Sequence, residues 1–195
     1  VDSYPEYQIV KKELKSDILI MGESHLSVYK QFDPKRTILA VYNLSTLQHL
    51  ITLGKKFRIH IFLNTGMNRE GVQQENLEEF CHLCKNSNIQ VEGVMSHLAY
   101  GDNEKMELVT AQYDRFKIMH DIILSHGFSP TRRHINNSGG FLQGKDEFFT
   151  AHRVGIALYG YNPLSETNSN YEKGQALQPV MSVWSTIIGV QKVHK

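Results

Sequence analysis

The sequence predicts an α/β fold built on a parallel sheet, and three features predict it. Short apolar runs alternate with longer amphipathic segments, the rhythm of βαβ units. The runs are rich in Ile, Leu and Val, as strands covered on both faces are. Glycines punctuate the changes of period.

DILIMG, from Asp17, is a short apolar run ended by Gly22, the profile of a buried parallel strand. TILAVYN follows from Thr37, and Ser45 to Gln48 reads as a capping-box start to the helix STLQHLITLG. FRIHIFLN, with its β-branched and aromatic residues, is the next strand. The loop TGMNREG leads to a helix from about Gln73 to Asn86. IQVEGVMSHLA, from Ile89, is a strand, and KMELVTAQYDRFKIMHDIILSHG is a long amphipathic helix stopped by Gly127. TRRHINNSGG and HRVGIALYGY each begin a further short strand and loop. The closing VMSVWSTIIGVQKVH alternates apolar and polar residues like an antiparallel strand, which breaks the rhythm. Two architectures fit the six strands before it: an open doubly wound sheet, or a (β/α)8 barrel with two units missing at the front. No G-x-G-x-x-G follows the first strand, which removes the strongest sign of a dinucleotide fold.

With 195 residues, 41% hydrophobic and 21% charged, the chain has the length and composition of one globular domain. A net charge of +1 offers no basic footprint for nucleic acid. No apolar run reaches the roughly 18 residues that a membrane span needs. No secretory signal pattern opens the sequence, and a first residue of Val1 is expected of a piece of a longer protein. The only cysteines, Cys81 and Cys84, share one face of a helical stretch without a second pair to complete a zinc site. They read as buried and reduced, as in a cytoplasmic protein.

In parallel α/β folds ligands sit in the loops that follow the strands. Those loops gather Arg69, His97, Asn137, Ser138 and Arg153. Arg69, in a glycine-bounded turn, offers a planar fork suited to a carboxylate. NNSGG and RVGIALYG pair small residues and free backbone donors with a serine hydroxyl, a natural phosphate cradle. If theirs are the last two strands of a barrel, the position is also that of the habitual phosphate site. Tyr159, Tyr161 and Trp184 read as packing residues. His60, His82, His120, His126, His134 and His152 have no ligand-like spacing and are assigned no metal.

Five motifs then carry a resemblance. TGMNREGV at Thr65, VEGVMSHLA at Val91, QYDRF at Gln112, HINNSGG at His134 and RVGIALYGYNP at Arg153 resemble the alanine racemase family, in its order and at close to its spacing. The similarity runs from about Ser16 to the C-terminus. LQPVMSVWSTI is similar to that family's crossing into a second, β-rich domain. The resemblance implies a barrel over residues 1–176 that lacks roughly its first two β/α units, with residues 177–195 as the crossing strand. It also implies a pyridoxal 5'-phosphate cofactor, alanine as substrate, a homodimer, and interconversion of L- and D-alanine for peptidoglycan precursors. A racemase of another or of several amino acids, or a catalytically incompetent fragment, is the alternative.

By the same resemblance Arg69 holds the substrate carboxylate. Ser138 and the backbone of Gly155 and Ile156 hold the cofactor phosphate, with Asn137 close by. Arg153 faces the pyridine nitrogen, His97 lies beside the ring and orients Arg153, and Met21 is an apolar residue near the cofactor. The family's Schiff-base lysine and its second base, a tyrosine from the partner, have no counterparts here, so the chain alone is expected to be inactive. Phe62 stands where many members have a carbamate-modified lysine, and Asn64 where aspartate is frequent. Both changes remove negative charge near Arg69, so a looser Arg69 is expected, with weaker substrate binding or a wider substrate range.

Overall fold

The computed structural model describes residues 1–104, 106–144 and 146–193. Its elements run α1 (Tyr4–Glu13), β1 (Ile18–Ile20), β2 (Thr37–Val41), α2 (Leu44–Thr52), β3 (Arg58–Phe62), α3 (Leu77–Lys85), β4 (Gln90–Met95), α4 (Met106–Ser125), β5 (Arg132–His134) and α5 (Ser138–Gln143). The five strands pair in chain order, and every pairing is parallel. A doubly wound sheet reverses its strand order part-way, whereas a barrel wall adds each strand beside the last. The order seen here is that of a barrel wall.

Strand alternation sends side chains to two different cores. Leu39, Val41, Ile59, Ile61 and Val94 pack outward against Leu47, Leu50, Phe80, Phe116 and Met119 of the covering helices. Ala40, Phe62 and Met95 form a smaller cluster with Leu19, Met21 and Tyr42. β2 is buried along its whole length, as its apolar run implies. Below the sheet, Arg58 pairs with Asp17 at 2.7 Å and with Glu92 at 2.6 Å, and Arg132 reaches Glu92 at 3.4 Å.

Several expectations need correction. α1 has no counterpart in the sequence reading, because it buries only Tyr7 and shows little apolar stripe. Glu6 caps its start by accepting the backbone N–H of Ser3. Helix α2 begins at Leu44 after Asn43, so the box at Ser45 lies inside the helix and caps nothing. HRVGIALYGY does not form a strand: its backbone meets the sheet end through one bond, Arg153 N–H to the Asn136 carbonyl at 2.9 Å. It then winds into a 3-10 turn at Ile156–Tyr159, closed by Gly160 in the left-handed region. Tyr159 and Tyr161 are exposed instead of packed. VMSVWSTIIGV has no regular structure, and Trp184, expected in the core, is 89% exposed. An alternating segment without a partner strand has nowhere to place its apolar face or its backbone donors.

Candidate cofactor and substrate site

A cavity of about 800 Å³ opens where β1, the loop after β4 and the segment after β5 face one another. Met21, His97, Asn137, Ser138, Arg153, Gly155 and Ile156 all line it. Residues more than 130 positions apart in the sequence thus share one wall, because the strands that carry them end on the same side of the sheet.

Arg153 is the best-held of these groups. Its Nη1 donates to the His134 carbonyl at 3.2 Å and to Nδ1 of the same ring at 2.5 Å. Its Nη2 donates to the Ser96 carbonyl, to the Ile135 carbonyl at 3.4 Å, and approaches Nδ1 of His97 at 3.4 Å. All of these acceptors are neutral. Burial lowers the guanidinium pKa to about 10, which still leaves it a cation at neutral pH. Its Nε–H is buried with no acceptor among the described residues. A buried donor without a partner costs roughly 1–3 kcal/mol. It belongs to a side chain that lines the cavity, and the nitrogen itself has almost no exposed surface, so a small shift of the guanidinium is what would bring it to an acceptor placed there.

Ser138 makes the second anchor. Asn137 caps α5 by accepting the Gly140 N–H through its side-chain oxygen at 3.1 Å, which fixes Ser138 at the helix start. Ser138 Oγ accepts the backbone N–H of Gly155 at 2.9 Å and of Ala157 at 3.2 Å. A hydroxyl that accepts twice keeps its own hydrogen to donate. The starts of α5 and of the Ile156–Tyr159 turn therefore meet at one hydroxyl, and helix starts carry partial positive charge. Glycine is needed at 139: a Cβ there would lie 2.4 Å from the Gly101 carbonyl oxygen.

Arg69 sits apart from the large cavity. It lines a smaller one of about 210 Å³ with Tyr42, Asn64, Asn68 and Glu70. Its loop is tightly tied. Val72 N–H bonds the Phe62 carbonyl at 2.7 Å, and Asn64 N–H bonds the Val72 carbonyl at 3.0 Å. Asn64 Oδ1 accepts the N–H groups of Gly66 and Asn68, and Asn68 adopts a left-handed φ of 58°. The guanidinium itself is loosely held: it is 56% exposed and, among the described residues, pairs with Glu70 alone, at 3.5 Å. Phe62 is buried against Tyr42 with ring centroids 5.8 Å apart and brings no charge of its own to the loop of Arg69. The charge of Arg69 nonetheless bears on His97, whose pKa falls to about 4 through burial first, then Arg153, then Arg69.

Helix α4 holds the two loops in place. Gln112 donates to the His97 carbonyl at 3.0 Å and to Thr65 Oγ1 at 3.1 Å, and accepts the Ala99 N–H at 2.9 Å. Arg115 donates to the Thr65 carbonyl at 3.0 Å. His134 is the contact that sequence reasoning missed. It supports Arg153 more closely than His97 does, and only its inward register on β5 could have revealed it. The cysteine reading stands: Cys81 and Cys84 are buried on α3.

Known proteins share the sequence and the fold of this chain. A family model described as the alanine racemase N-terminal domain matches residues 1–163. An alanine racemase of Clostridium tetani is 35% identical over 141 residues, covering 71% of this chain and 35% of that protein. Alanine racemase 1 of Bacillus subtilis is 30% identical over 192 residues, covering 95% of this chain and 47% of that protein. The structure of an alanine racemase of Clostridium difficile 630 in complex with cycloserine aligns with a TM-score of 0.79 at 26% identity, covering 89% of this chain and 48% of that one. The chain spans about half the length of the curated relatives it matches.

Proposed function

The chain belongs to the alanine racemase N-terminal domain family, and from that premise we propose that it forms the cofactor-binding wall of a pyridoxal 5'-phosphate-dependent alanine racemase. The observation that carries the reading is the convergence of Arg153, with its unpaired Nε–H, and the Ser138–Gly155 turn on one cavity.

The residues fit the cofactor at both ends. Ser138 and the backbone of Gly155 and Ile156 would hold the phosphate, the Gly155 N–H turning from Ser138 Oγ to do so. Asn137 serves the phosphate indirectly, by fixing Ser138. Arg153 would meet the pyridine nitrogen, and Met21 and His97 would flank the ring. When bound, pyridoxal 5'-phosphate supplies an electron-withdrawing system that stabilises negative charge at Cα of an amino acid. Arg153 limits that effect. With a pKa near 10 it keeps its proton at neutral pH, so a ring nitrogen held opposite it would accept a hydrogen bond and stay unprotonated. A neutral ring withdraws fewer electrons, which favours removal and return of one proton over side reactions. His97, with its pKa near 4, enters as a neutral ring and adds no second positive charge beside Arg153.

Arg69 would take the substrate carboxylate. Its exposure and its single long contact with Glu70 leave the fork free to pair with two oxygens. The two bases of a racemisation come from groups other than those described above. A racemase of another or several amino acids is the second reading, favoured by the exposure of Arg69 and its single long contact with Glu70.

Titration of the chain with pyridoxal 5'-phosphate and, separately, with pyridoxal tests the reading. Saturable binding that requires the phosphate and weakens in Arg153→Ala supports it. Equal binding of the two compounds, or no binding, contradicts it.

A further inference from the structure

His60 and His134 lie on the inner face of the sheet, in neighbouring registers, and both are buried, at 2% and 3% exposure. Nδ1 of His60 stands 2.7 Å from Nε2 of His134, and the rings meet edge to face with centroids 4.9 Å apart. On its other side, Nδ1 of His134 faces Arg153 Nη1 at 2.5 Å.

Arginine fixes every proton in this row. A guanidinium has only donors, so Nδ1 of His134 must accept, and an imidazole that accepts is neutral with its hydrogen on the other nitrogen. Nε2 of His134 therefore donates to Nδ1 of His60. His60 is then neutral as well and carries its hydrogen on Nε2, which is buried without a partner among the described residues. The row runs in one direction, from Arg153 through His134 to His60.

The sheet is shaped for the last member of the row. The pairing of β3 with β4 slips by one residue between Ile59 and His60, which sets His60 opposite Gly93 instead of Glu92. A Cβ on Gly93 would lie 2.6 Å from the His60 ring and 2.9 Å from the Arg132 carbonyl oxygen. The bulge and the glycine together make the room that the imidazole occupies.

We propose that His60 is a positioning residue: by accepting from Nε2 of His134 it locks that ring in the tautomer that receives Arg153, and so holds the guanidinium at its place in the cavity wall. The importance of that place for a bound cofactor rests on the function proposed above, but the row itself does not.

Nitrogen-15 spectra of the histidine rings in the whole chain test the row without any ligand. Both rings are expected as the Nε2–H tautomer, with a coupling across the His60–His134 hydrogen bond. A Nδ1–H tautomer at either ring overturns the proposal. In His60→Leu the guanidinium protons of Arg153 should exchange with water about tenfold faster, and His60→Gln, whose amide oxygen can accept, should restore slow exchange. Unchanged exchange in a folded His60→Leu overturns it too. If His60→Leu does not fold, the tautomers of the unsubstituted chain decide. Titration with pyridoxal 5'-phosphate then separates the two claims: a correct row with no binding leaves the positioning role standing and removes the proposed function.

Discussion

Arg153 meets the ring of His134 at 2.5 Å, and this contact, more than the 3.4 Å approach to His97, fixes the guanidinium in the cavity wall. The side chain is a buried cation held by three backbone carbonyls and two imidazoles, with no carboxylate among its contacts with the described residues. Arg153→Lys keeps the charge and loses the fork. One ammonium cannot serve both the acceptors at Nη1 and those at Nη2, so stability should fall by roughly 1–3 kcal/mol. Urea unfolding measures it, and an unchanged midpoint contradicts the contact geometry.

Acid should destabilise the fold through the paired histidines. Burial lowers the pKa of His60 to about 4 and, with Arg153 as the next cause, that of His134 to about 2, against an ordinary 6.5. Unfolded, both rings take up protons that the folded chain refuses. Stability is therefore fully present above about pH 6.5 and is lost as pH falls toward the folded values, by at most about 1.4 kcal/mol per pH unit for each ring. His60→Gln should remove one ring's share of the slope between pH 6 and pH 4. The same slope in both proteins contradicts the neutral pair.

Gly93→Ala should act through His60. Its methyl group would overlap the imidazole and a backbone oxygen, and neither can retreat within the sheet. A loss of about 1–3 kcal/mol is expected, as for overpacked interiors, with the His60 ring signals shifted. A stable variant with unmoved ring signals contradicts the packing described.

The thiols should be inert. Burial raises Cys81 to about 11 and Cys84 to about 12, and thiolate is the reactive form. A thiol reagent at pH 8 should label neither in the native chain and both in denaturant. Rapid native labelling contradicts their place on α3.

The sheet was legible because parallel strands write themselves as apolar runs: DILIMG, TILAVYN and FRIHIFLN each contain a strand of the sheet. RVGIALYG misled for the same reason. Its apolar residues suggest a strand, but Gly155 and Gly160 take backbone angles outside the strand region and turn the segment at Ser138. Helix α1 was invisible because YPEYQIVKKE buries one tyrosine and carries little periodicity. In the site, Ser138 and Arg153 could be named from glycine-rich motifs and charge. His134 and His60 could not: their roles depend on a bulge and on strand register, and neither ring is near the other in sequence. The departure at Phe62 was legible as a residue, and the structure adds that it is buried against Tyr42 while Arg69 stands in the open.

Ser138 tests the account most directly, through backbone amide spectra of the chain titrated with pyridoxal 5'-phosphate. The N–H signals of Gly155, Ile156 and Ala157 and the Nε–H signal of Arg153 should shift together and saturate. Ser138→Ala should weaken that binding by about tenfold, the equivalent of one lost hydrogen bond of about 1.4 kcal/mol. Shifts that spare both Arg153 and the Gly155 turn, or that are indifferent to Ser138→Ala, would contradict the proposed site.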